Sequence, residues 1–140
     1  RGSAKETVHL ELSLEGSGMS YEPGDALAVI PTNCPEVVDT LIQAAKWDPS
    51  TPVPAPDGTE GPLREVLFQY YDITGLTKPI LKKYNELAKS SEVEALLDAA
   101  NKEKLQAYLW GRDLADLVTD FPAGLSARDF TGILRKKTCC

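Results

Sequence analysis

One histidine, one methionine and three cysteines are all that 140 residues contain of the usual soft metal ligands. They form no CxxC pair and no histidine cluster, so no stretch has the spacing of a metal site. Cys139 and Cys140 are adjacent, and direct neighbours do not readily make a structural staple with each other. A reducing, cytoplasmic setting is the default expectation. The chain has no signal-peptide pattern and no apolar run long enough to span a bilayer, so no membrane role is expected. Phosphate-cradling patterns of the GxGxxG or GxxxxGK kind are missing, as is a nucleophile elbow. His9 falls on the outward side of an alternating stretch with no serine placed beside it, so a Ser/His/Asp triad has no base. Positive charge is scarce too. Fifteen Lys and Arg face 21 Asp and Glu, for a net charge of −6. That balance argues against nucleic acid, whose phosphates need clustered cations. An acidic surface of this size serves solubility.

What is present begins with a clean period of two. Val8, Leu10, Leu12 and Leu14 alternate with His9, Glu11, Ser13 and Glu15, the mark of a strand with one face in a core. Glu15-Gly16-Ser17-Gly18 interrupts it. Tyr21-Glu22-Pro23-Gly24-Asp25 then reads as a tight turn of the type II kind, with Pro23 fixing φ and Gly24 supplying φ > 0. The short apolar run Ala26–Ile30 has the look of a buried strand, closed by Pro31.

After Asn33 the period changes to about 3.6. Pro35 opens a helix with Val37, Val38, Leu41, Ile42 and Ala45 on one face. Residues 48–62 hold Pro49, Pro52, Pro54, Pro56 and Pro62 with Gly58 and Gly61, which predicts a loop. Pro62 opens a second helix, ended at Asp72-Ile73-Thr74-Gly75 by a left-handed cap at Gly75. Thr77 and Pro79 start a third helix. Ser91 and Glu94 have the spacing of a capping box for a fourth. A long helix is expected over 102–119, with Gly111 its weak point, and Phe121-Pro122 closes it. Ser126 and Asp129 start the last helix, whose C-terminal end Arg135-Lys136-Lys137 suits the helix dipole. Trp47 reads as a core plug. The fold class is α+β and predominantly α-helical: an N-terminal antiparallel strand pair over residues 1–33, then six helices over 34–140.

The stretch VHLELSLEGSGMSYEPGDALAVIPTN resembles the opening of the FAD-binding region of NADPH-dependent diflavin reductases. This group includes the sulfite reductase flavoprotein and cytochrome P450 reductase. LREVLFQYYDITGLTKPILKKYNELA and LADLVTDFP continue the likeness, which covers nearly the whole chain. The resemblance implies that residues 1–33 are the first strands of a flavin-binding barrel. Residues 34–140 are then the helical connecting domain that sets the spacing of the FMN and FAD modules. In such reductases NADPH gives a hydride to FAD, FAD passes single electrons to FMN, and FMN reduces an acceptor redox protein. The chemistry belongs to the flavins, and the protein contributes orientation and electrostatics.

Three residues carry over as cofactor contacts. Thr74, in DITG, matches a position that touches FAD; a helix-end threonine bonding its own backbone is the equal alternative. Trp110 falls near a second such position, and a plain core tryptophan is its alternative. Lys5 aligns with an arginine that contacts NADPH phosphate, keeping the charge but losing the bidentate fork. No catalytic residue and no metal ligand is assigned. The resemblance also places an Arg-x-Tyr-Ser flavin-binding segment just beyond the last helix. Here the chain reads Arg135-Lys136-Lys137-Thr138-Cys139-Cys140, so FAD is expected to bind weakly or not at all. The FMN-binding and NADPH-binding modules of a parent protein are the expected partners. The exposed strands could also pair with a second copy. A free-standing helical adaptor for protein partners is the competing expectation, given the amphipathic helices and the lack of a catalytic constellation.

Overall fold

A computed structural model describes residues 8–138. Regular structure starts at Pro35. Seven α-helices, one 3₁₀ turn and two short antiparallel strand pairs follow, so the α+β, mostly helical class is what the chain adopts.

Helix α1, Pro35–Ala45, has proline at its start and stops at Lys46, whose φ of 57° is left-handed. It buries Val38, Leu41 and Ile42 and packs on α2, Leu63–Gln69, and α6, Leu114–Asp120. The proline-rich stretch between α1 and α2 is more ordered than its composition suggests. Strands β1, Pro52–Pro54, and β2, Glu60–Pro62, form a hairpin with Val53 opposite Gly61. Proline is tolerated there because both strands are edges. Asp57 holds the hairpin loop by accepting from the backbone N–H and hydroxyl of Thr59 and from the Tyr70 hydroxyl. Val53 is fully buried, and α7, Ala127–Ile133, packs on its strand.

The second helix ends at Gln69 rather than near Gly75, and Gly75 is not in the left-handed region. Strand β3, Tyr71–Asp72, takes over and pairs with β4, Arg135–Lys136. Thr77 stands at the N-cap of α3, Lys78–Ala88, without a side-chain bond. Ser90, not Ser91, caps α4, Ser91–Leu97, by accepting from the Val93 N–H. The long helix expected over 102–119 is two. Helix α5, Lys102–Leu109, stops before Gly111, whose φ is 72°. Asp113 then starts α6 with a full capping box to Asp116. Local capping outcompetes continuation through a glycine. The count of seven helices against the expected six comes from this break. Ser126 caps α7 by accepting from the Asp129 N–H, as the sequence suggests.

The core lies between α1, α2, α3, α6 and α7. Tyr84 and Phe130 are its largest fully buried side chains, and their rings meet edge to face. Trp47 packs on Phe130 at 4.8 Å between ring centroids and donates its Nε1–H to Leu125 O, which fits the plug it was expected to be.

The N-terminal strand pair is not formed. Residues 8–30 make no ladder, and their apolar side chains stand in solvent, Leu10 at 78% and Ile30 at 65% exposure. Alternation prepares a strand but cannot supply a partner, and two strands alone are marginal in water. The turn between them is present nonetheless. Asp25 N–H donates to Glu22 O at 3.0 Å, Glu22 N–H to Asp25 Oδ2 at 2.9 Å, and Gly24 has φ 104°. Local geometry survives without the ladder because it depends only on Pro23, Gly24 and Asp25.

Candidate functional site

The residues that singled themselves out in sequence gather at one junction, where segment 31–34, the turn after α2 and the end of the described chain come together. Asn33 is its pivot. It is 8% exposed, and its Nδ2 donates to Leu67 O at 2.6 Å and to Tyr71 O at 2.7 Å. Its backbone N–H donates to Phe68 O. Lys137 completes the arrangement. Its Nζ donates to Pro31 O at 2.9 Å and Phe68 O at 3.0 Å, and its backbone N–H to Tyr70 O. The final carbonyls of α2, left without intrahelical partners, are thus bonded by two residues more than a hundred positions apart in sequence.

Lys137 is therefore not a solvated end of the last helix. It caps another helix, α2, where the dipole favours a cation. Burial lowers its pKa below the usual lysine value, and the Asp72 carboxylate only partly opposes this.

Beside this junction opens a cleft of about 440 Å³. Thr74, Asn33 and Asp72 line it together with Arg135, Lys136 and Lys137. Thr74 is exposed, and both its N–H and its hydroxyl donate to Asp72 Oδ1, at 3.2 and 3.1 Å. Asp72 thus orients the threonine from two positions back, and the hydroxyl oxygen keeps its acceptor capacity for a ligand. The bond goes to a carboxylate, not to the backbone of a helix end. Arg135 faces Asp72 across the β3–β4 register. The donor set is hydroxyls and cations, suited to a polar, anionic group.

Trp110 stands elsewhere. It follows α5 and is 87% exposed, so it is no core tryptophan, and it does not line the Thr74 cleft. The turn that carries it is held by Tyr108, Arg112 and Asp120. Tyr108 and Arg112 both donate to Asp120 Oδ2, and the guanidinium lies 4.6 Å from the Tyr108 ring centroid. Burial, followed by the Asp120 charge, raises the Tyr108 pKa far above the usual phenol value. Lys5 lies outside the described residues, as do Cys139 and Cys140. Asn33 and Lys137 were not anticipated in sequence. Asn33 looks like an ordinary residue before a helix, and Lys137 one member of a basic run. No spacing rule links positions 33, 68 and 137.

Comparison with known proteins decides the family. The FAD binding domain model matches residues 1–123. The chain belongs to the FAD binding domain family. Relatives in it include the NADPH sulfite reductase flavoprotein alpha-component of Bacillus subtilis, 50% identical over 138 residues, which are 97% of this chain and 23% of that protein. The component of the same name from Serratia proteamaculans is 37% identical over 99% of this chain and 22% of its own length. That from Aliivibrio fischeri is 34% identical, with the same coverage. The chain therefore spans less than a quarter of the length of these relatives. Within the family region lie the Thr74 cleft's entry segment, α1 to α6 and Trp110; Arg135, Lys136 and Lys137 fall past its end. Among the described residues no helix is long and apolar enough to cross a membrane.

Proposed function

We propose that this chain is the FAD-binding and connecting region of an NADPH-dependent diflavin reductase of the sulfite reductase type. In this reading residues 1–33 contribute the first strands of the flavin barrel. Residues 34–140 hold the FAD and FMN modules in register for electron transfer. The observation that carries it is the family match over residues 1–123, joined to relatives that are all sulfite reductase flavoprotein components.

The cleft's donor set suits the phosphate-bearing part of FAD. Thr74 offers its hydroxyl oxygen, and Arg135 and Lys136 offer cations. The cleft has no aromatic wall for the flavin ring, so the ring needs residues from elsewhere in a parent protein. When bound, FAD supplies hydride acceptance from NADPH and release of single electrons. This chain's own residues do the rest. Asp72 fixes the Thr74 rotamer, β3 and β4 fix the spacing of Thr74 from Arg135, and Asn33 with Lys137 holds the entering segment against α2. Trp110 and Lys5 are proposed as further cofactor contacts, with FAD and NADPH respectively. The FMN-binding and NADPH-binding modules, and an acceptor such as the sulfite reductase haemoprotein, are the partners this reading names, in a cytoplasmic setting.

A chimera tests the proposal. The matching stretch of the Bacillus subtilis relative is replaced by residues 1–138 of this chain, and bound FAD and NADPH-driven electron transfer are measured. The expected result is stoichiometric FAD and activity within roughly tenfold of the parent. A chimera that folds, keeps FMN and holds no FAD would overturn the assignment. For the isolated chain, weak or absent FAD binding is expected; tight stoichiometric binding would show that the cleft is a more complete site than described.

A further inference from the structure

A basic patch sits on this acidic chain. Helix α3 carries Lys78, Lys82 and Lys83, all exposed. Strand β4 and the residue after it carry Arg135, Lys136 and Lys137. Among the described residues the ion pairs involve His9, Arg64, Arg112 and Arg128, and none involves these six cations. The acids nearest in the fold are Glu86, on α3 itself, and Asp72, opposite Arg135. The patch is thus positive in excess, on a molecule whose net charge is −6.

The two elements also enclose apolar surface. Helix α3 packs on α7, and β4 follows α7 directly. Between them runs an open groove of about 460 Å³, to which Pro79, Ile80, Ile133 and Leu134 give apolar surface and Lys83 and Arg135 give charge. A groove of this kind has two requirements of an occupant. Its cations call for carboxylates, and its apolar floor calls for a side chain that gains by leaving water.

We propose that the α3–α7 groove is a docking surface for an acidic polypeptide segment that inserts one large apolar side chain. Charge complementarity selects the acidic segment, and the apolar floor selects polypeptide over nucleic acid, which has no aliphatic side chain to offer. The groove is distinct from the Thr74 cleft, although Arg135 borders both.

The test uses the full chain and a fluorescein-labelled acidic nonapeptide with one central leucine, read by anisotropy. The expected dissociation constant is on the order of 10–100 μM at about 50 mM salt. It should weaken at least about fivefold near 200 mM salt, because exposed charges are screened. Replacing the leucine by serine should cost about fivefold or more. The double variant Lys82→Glu, Lys83→Glu should lose about tenfold or more. Both lysines lie outside the Thr74 cleft, so flavin binding and peptide binding fail independently. Lys83→Ala, with circular dichroism on every variant, separates lost docking from lost folding. Four results would overturn the proposal: no binding near 1 mM peptide, equal binding of the serine peptide, indifference to charge reversal, or an oligonucleotide of equal charge binding as tightly. A lysine-dependent dimer in gel filtration, without peptide binding, would reassign the groove to a second copy of the chain and overturn it as well.

Discussion

At the scale of single residues, two side chains hold the junction on which the candidate site rests. Asn33 donates two bonds to carbonyls that have no other donor nearby in sequence. Asn33→Ala leaves both carbonyls short of a partner and should cost about 2–3 kcal/mol, read as a lower urea midpoint with an unchanged slope. Asn33→Asp should be worse, since a buried carboxylate would face two carbonyl oxygens. Lys137→Met keeps the length of the stem but removes two bonds, and about 1 kcal/mol should be lost from this partly exposed position. Tyr108 sets a pH dependence. Its folded pKa is raised above the model value of 10.0, first by burial and then by Asp120. Above pH 10 the unfolded chain releases the phenol proton while the folded chain keeps it, so stability falls as pH rises from there. Denaturation midpoints across that window should decline less steeply in Tyr108→Phe; an identical decline would show that Tyr108 is not responsible.

At the scale of elements, the break between α5 and α6 is the informative case. A straight helix over 102–119 would make Gly111 a weakness, and Gly111→Ala would then stabilise by about 1 kcal/mol. With φ at 72° the outcome reverses. The same substitution should destabilise by about 1–2 kcal/mol, although no atom lies within 4 Å of the added methyl group, because the cost is in the backbone. Thermal denaturation of this one variant therefore distinguishes a kinked pair from a continuous helix. Asp113→Ala removes bonds to the Ala115 and Asp116 N–H groups and should cost about 1 kcal/mol. The β1–β2 hairpin shows the opposite relation. Its prolines read as loop, yet Val53 between two of them is fully buried against α7.

At the scale of the molecule, the packed body begins at Asn33 and the preceding stretch adds little to it. Val8, Leu10, Leu12, Leu27, Val29 and Ile30 are all more than half exposed. Removing residues 1–30 should leave the unfolding midpoint of the helical body within about 2 °C, measured by circular dichroism. A large drop would mean that these residues bury against the helices in solution. The unremoved stretch carries alternating apolar side chains on unpaired backbone, which is a template for strand pairing. Gel filtration of the two forms should show concentration-dependent association only in the longer one.

The sequence by itself determined what short-range physics controls. The Pro23-Gly24 turn, the start of α1 at Pro35, the Ser126 cap of α7 and the inward faces at Tyr84 and Phe130 were all legible, because each depends on a few neighbouring residues. The diflavin reductase resemblance was legible too, from stretches of sequence, and the family match agrees with it. Only the tertiary structure decided the rest. It left the alternating residues without a ladder and split a helix at Gly111. It turned Trp110 outward, and it used Lys137 to cap α2 instead of α7. Each of these turns on partners distant in the chain. Strand pairing, helix capping across a junction and exposure are settled by which surfaces meet, and hydrophobic periodicity says which face seeks burial without saying what will cover it.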